Sequence, residues 1–173
     1  MNIKSTFLAA LLLSTTFLNN AQAGDIKYSF GTGYPFYGVA EVSFPAFNDD
    51  QRFFVNYKIG GYDTIAAEDA FSAGFEQLLD GKNNQTVGFT IGAIGVRDGT
   101  KCDQDTGAGD VFRCEFGKLF SSEVTNGAAL NYSYYFNGVH NSGTKIRFEL
   151  GYGQSSKTNT NRVDGSVILS YQF

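Results

Sequence analysis

Lys145-Ile146-Arg147-Phe148-Glu149-Leu150-Gly151-Tyr152 is the stretch that decides how this chain folds. Successive side chains of an extended strand point to opposite sides, so Ile146, Phe148, Leu150 and Tyr152 share one face and Lys145, Arg147, Glu149 and Gly151 the other. A helix, with its period of 3.6 residues, would scatter both sets around its circumference. Three charges standing opposite four large apolar groups leave open which face is buried.

The same code repeats on both sides of this stretch. Toward the C-terminus, Val167, Leu169, Tyr171 and Phe173 alternate with Ser166, Ser170 and Gln172, and Ile168 is the one exception. Upstream, Leu130, Tyr132, Tyr134 and Phe136 alternate with Asn131, Ser133 and Asn137, and Phe112, Phe116 and Phe120 with Arg113, Glu115 and Gly117. Earlier runs are Val87 to Ala93, Phe53 to Ile59, and Phe71, Ala73 and Phe75 against Ser72, Gly74 and Glu76. Thr64 to Leu79 has a trace of helical spacing, but this alternation makes its second half a strand. The first stretch, Ile26 to Phe44, exceeds one ordinary strand, which places a bend or turn within Gly31 to Pro35.

Turn chemistry separates the runs at Asn48-Asp49-Asp50, Asp80 to Asn84, Asp98-Gly99, Thr125-Asn126-Gly127, Asn141-Ser142-Gly143 and Asp164-Gly165. The expectation is an all-β chain of eight antiparallel strands, with nine or ten as alternatives, in one up-and-down domain.

The N-terminus carries an expectation of its own. Lys4, the apolar stretch Phe7 to Leu18 and the small residues Ala21-Gln22-Ala23 read as a secretory signal over residues 1–23, leaving 24–173 as the mature domain. Ser14, Thr15 and Thr16 break the apolar run too early for a membrane helix, and no later segment is long and apolar enough. The formal net charge of −4 becomes −5 without Lys4, which argues against a nucleic-acid partner because phosphate binding needs a basic footprint. Export into an oxidising compartment favours a disulfide between Cys102 and Cys114.

Both a soluble β-sandwich and a membrane barrel alternate, so the charges must choose between them. Lys58, Glu76, Arg113, Glu115, Lys145, Arg147 and Glu149 all lie opposite the large apolar residues. In a small closed barrel they would face inward as a self-paired network, with Glu41 and Lys27 in the same inner set. The Tyr- and Phe-rich outer set suits the aromatic girdles of a transmembrane barrel, although Trp is absent from the chain. Ending in Val167, Leu169, Tyr171 and Phe173 at alternate positions, the chain resembles the small bacterial outer-membrane barrels, the size class of OmpX, the OmpA transmembrane domain, PagP and PagL. That resemblance implies outer-membrane location, recognition of the last strand by the barrel-assembly machinery, and contact with outer-membrane lipid and lipopolysaccharide.

Chemistry-bearing constellations are sparse. The single histidine, His140, precedes Ser142 by two residues, as in the deacylase PagL, and Glu149 or Asp164 would have to supply the acidic partner. Both sit in a short turn, where a fixed base and nucleophile are hard to build. Asp103, Asp105 and Asp110 fail the calcium-loop spacing, so no metal and no cofactor is expected. The leading expectation is a monomeric, non-enzymatic outer-membrane protein with a structural or surface-interaction role. Its candidate contacts are the disulfide loop and Gln154 to Asp164. A lipid A hydrolase using His140 and a soluble lipocalin-like carrier are the alternatives.

Overall fold

The computed structural model describes residues 26–60, 68–79, 83–98 and 122–173. Outside these lie residues 1–23, Cys102, Cys114, Asp103, Asp105 and Asp110, and the Phe112–Phe120 run with Arg113 and Glu115. The strands are β1 (Lys27–Tyr34), β2 (Phe36–Pro45), β3 (Gln51–Gly60), β4 (Glu68–Leu78), β5 (Gln85–Asp98), β6 (Ser122–Tyr135), β7 (Gly143–Ser155) and β8 (Asn161–Gln172). Each pairs antiparallel with the next, and β8 pairs back onto β1, so the sheet closes into a barrel without edges.

Eight strands are reached by a different division from the one expected. The first stretch splits at Pro35 into β1 and β2, and Phe30 faces Ala40 across the new hairpin. β5 then pairs directly with β6, so the eight strands close without the Phe112–Phe120 run. Two expected turns are also corrected. Asn126-Gly127 lies within β6, paired to Gln154 and Gly153, and Asp164-Gly165 lies within β8, paired to Gly151 and Leu150. Gly127 and Asp164 face the lumen, where a small or polar group is needed, so these turn-type residues serve the ladder. The β7–β8 turn is instead residues 156–160, and Thr64 to Leu79 contributes strand from Glu68 onward.

A walk along the register from Ser29 passes Glu41, Asn56, Ser72, Gly92, Gly127 and Gly153 and arrives at Arg162. Ser29 itself pairs with Gln172, so the barrel closes with a stagger of 172 − 162 = 10 residues. Eight strands with that stagger tilt by roughly 40° and enclose a lumen just wide enough for side chains. β1 begins and β8 ends at one mouth, here the near end, where the connections 46–50 and 136–142 also lie. β3, β5 and β7 end and β4, β6 and β8 begin at the far end, where the 156–160 turn lies, so Asp98 stands at the mouth opposite β1's start. Counting the first stretch as one strand would put Asp98 at the near end; its division at Pro35 puts it at the far end.

Alternation sorts side chains as the parity requires. Outside, Phe30, Phe71, Leu130, Phe148, Leu150, Val167, Leu169 and Tyr171 are exposed. Inside, Glu41, Lys58, Glu76, Lys145, Arg147 and Glu149 are buried. Toward the far end the lumen turns apolar, with Phe36, Val39, Ala70, Ala93, Val96, Val124 and Ile168 in one cluster. Ile168, the exception to the terminal alternation, is an inward residue that belongs to this cluster.

Candidate functional site

The charged inward residues gather in the lumen, and charge in a barrel interior must be compensated there. β3 and β7 stand diametrically opposite in an eight-strand closure, and their inward residues meet across the axis. Lys58 Nζ on β3 donates to Glu149 Oε2 on β7 at 2.6 Å and to the Ala93 carbonyl at 3.0 Å. Ser166 Oγ donates to the same Glu149 oxygen at 2.7 Å, and Thr90 reaches the other.

A second set surrounds Arg147. Its Nε and Nη2 donate to Glu76 Oε1 at 3.0 and 2.8 Å, and its Nη1 pairs with Glu41 Oε2. Lys145 pairs with the other Glu41 oxygen. Glu76 also accepts from Ser133 Oγ at 2.6 Å on Oε1 and from the Tyr135 hydroxyl at 2.8 Å on Oε2, so both of its oxygens are engaged. The Arg147 guanidinium lies 3.9 Å from the Phe54 ring centroid, and Lys58 and Lys145 sit over Phe36 and Tyr135. Room for Phe54 comes from Gly74, where an added Cβ would stand 2.3 Å from the Phe54 Cζ.

Two further arrangements close the mouths. At the far end Asp164 accepts from Thr125 Oγ1 at 2.7 Å and faces Arg97 and Arg162 at 3.3 and 3.4 Å. Gly95 leaves the space its carboxylate fills. Thr158 in the 156–160 turn donates to Glu123 at 3.0 Å, which ties the turn to the β6 wall. At the near end the 136–142 turn folds under the lumen and buries Val139. Its Val139 carbonyl accepts from Arg52 Nη1 at 3.1 Å and from Gln172 Nε2 at 2.8 Å.

Of the residues singled out from sequence, Lys58, Glu76, Lys145, Arg147 and Glu149 come together in this network, while Arg113 and Glu115 lie outside the described residues. Glu41, given only as one of the inner acids, is central to it, and Arg52 was missed. Arg52 shares the parity of Lys58 and was legible from that, but Phe53 and Phe54 beside it mask the alternation. His140 and Ser142 are exposed in the near-end turn. Neither candidate acid is brought to His140: Glu149 is taken up by Lys58 inside the wall, and Asp164 is held at the far end. No group of metal-ligating side chains occurs among the described residues. Val167, Leu169, Tyr171 and Phe173 form an exposed outer row, with Phe173 edge-on to Tyr171 and Phe30. No protein family, curated protein or solved structure matches the chain.

Proposed function

We propose that this chain is an exported protein of the bacterial outer membrane whose barrel is a closed, non-enzymatic scaffold that presents far-end loops to the outside. The observation that carries this is the inversion of polarity: ion pairs cross the middle of the lumen, and the outer wall is apolar on every strand. Soluble monomers rarely expose a continuous apolar surface beyond a few hundred Å². Here the belt runs round the barrel, from Phe30 and Val42 through Val55, Phe71 and Phe89 to Leu130, Leu150 and Leu169. On β8 it extends from Val163 to Phe173, and at roughly 2.5 Å of axial rise per tilted residue this spans about 25 Å, the height of a lipid-facing band.

Aromatic side chains gather at the two rims of that band. Toward the near end, Phe44, Phe47, Phe53, Phe75 and Phe89 form a chain with centroid separations of 5.5 to 6.0 Å. Toward the far end lie Tyr34, Tyr37, Tyr57 and Tyr152, and the Tyr57 hydroxyl donates to Asp69 at 2.8 Å. The far-end tyrosines, each an apolar ring with a polar hydroxyl, suit a lipid headgroup level. A soluble lipocalin-like carrier needs the reverse distribution, an apolar lumen and a polar outside.

The cross-lumen ion pairs and the apolar cluster beyond them make the interior a brace between opposite walls. What varies freely on such a frame is the loops, and those loops are the candidate contacts for a partner. In this reading residues 1–23 are removed on export, the last strand is taken up by the barrel-assembly machinery, and the belt meets outer-membrane lipid and lipopolysaccharide. Thr158→Cys tests the orientation. A membrane-impermeant maleimide should label it on intact cells, and labelling only after lysis would refute outward-facing far-end loops.

A further inference from the structure

We propose that the near end of the lumen binds a small monovalent anion, of chloride or bromide size, on Arg52 with the Ser29 and Ser170 hydroxyls beside it. Glu41, Glu76 and Glu149 are the three lumen carboxylates described above, and Lys58, Lys145 and Arg147 take them up. Arg52 is a fourth buried cation, 4% exposed; Glu76 faces it across the β3–β4 pair but forms its ion pair with Arg147, and among the described residues Arg52 makes no ion pair of its own. Its Nη1 and Nη2 donate only to the neutral Val139 carbonyl, at 3.1 Å, and Ser43 Oγ, at 2.9 Å. This stretch of lumen therefore carries one positive charge more than its carboxylates offset, and leaving such a charge uncompensated is costly.

The second observation is a set of buried polar atoms without partners. Arg52 Nε, Ser29 Oγ, Ser170 Oγ and Gln172 Oε1 all lack one. They belong to one neighbourhood. Arg52 and Gln172 donate to the same Val139 carbonyl, Ser29 faces Gln172 across the β1–β8 pair, and Ser170 is the next inward residue along β8. A guanidinium N–H and two hydroxyls that can rotate to donate are an anion's requirements, whereas a water would satisfy the hydrogen bonds and leave the charge. The narrow lumen and the 136–142 turn beneath it favour a small ion over sulfate or a carboxylate.

This inference rests on the lumen alone and holds wherever the barrel resides. The test is the unfolding midpoint of the purified, folded full chain as gluconate is replaced by chloride or bromide at constant ionic strength. The midpoint should rise and saturate with either halide, and sulfate should not reproduce the rise. Ser170→Ala should raise the chloride concentration for half effect by about tenfold, the loss of one hydrogen bond to a charged partner. Arg52→Gln should abolish the dependence. An identical midpoint in chloride and gluconate overturns the site, as does an equal response to sulfate or a full response in folded Arg52→Gln. Should Arg52→Gln not fold, the parent titration and Ser170→Ala decide it alone.

Discussion

Replacing Arg147 by Met would test the lumen network at its centre. The substitution keeps an unbranched side chain of similar length and removes only the guanidinium. Glu76 Oε1 then loses both Arg147 bonds and keeps Ser133, while Glu41 loses one of its two cationic partners. The Phe54 ring also loses the cation 3.9 Å from its centroid. Breaking a buried pair by removing one partner typically costs about 3–5 kcal/mol, because the charge left behind stays desolvated. We expect Arg147→Met to fall in that range, read as a shift in guanidinium denaturation followed by loss of the compact band on unheated gels. Adding Glu76→Gln removes the stranded charge, so the double variant should recover about 1–3 kcal/mol relative to additivity. Stability within about 1 kcal/mol of the parent for Arg147→Met, or strict additivity in the double variant, would refute the idea that these ion pairs brace the barrel.

Other substitutions separate the remaining parts of the account. Leu150→Lys, at a position 67% exposed on the outer wall, should cost about 2–4 kcal/mol if that wall meets lipid, measured by folding into vesicles, against less than about 0.5 kcal/mol for a surface in water. Gly74→Val places atoms where Phe54 Cζ and the Phe89 carbonyl stand at 2.3 and 2.4 Å, and should destabilise by at least about 1–3 kcal/mol in thermal unfolding. Phe54→Ala in the same chain should relieve part of that. His140→Ala should leave both stability and the acylation pattern of lipid A unchanged by mass spectrometry; a lost deacylated species would revive the hydrolase.

Much of this barrel was legible because a period of two survives in almost every strand, and one charged strand, Lys145 to Tyr152, shows both faces at once. Parity alone assigned Lys58, Glu76, Lys145, Arg147 and Glu149 to a common side. Their pairing was not legible: Lys58 and Glu149 are 91 residues apart, and they meet only because the register and stagger set β3 opposite β7. Turn chemistry misled where a lumen position needs a small or acidic residue, as at Gly127 and Asp164, since the same residue types serve hairpins and crowded interiors. The first stretch concealed two strands, with Pro35 alone marking their junction.

Membrane fractionation of the expressed chain, followed by gel mobility with and without boiling in detergent, shows whether the barrel resides in the outer membrane. The account predicts recovery with the outer membrane and a compact band that shifts on boiling. Recovery as a soluble periplasmic protein with a single mobility would contradict it.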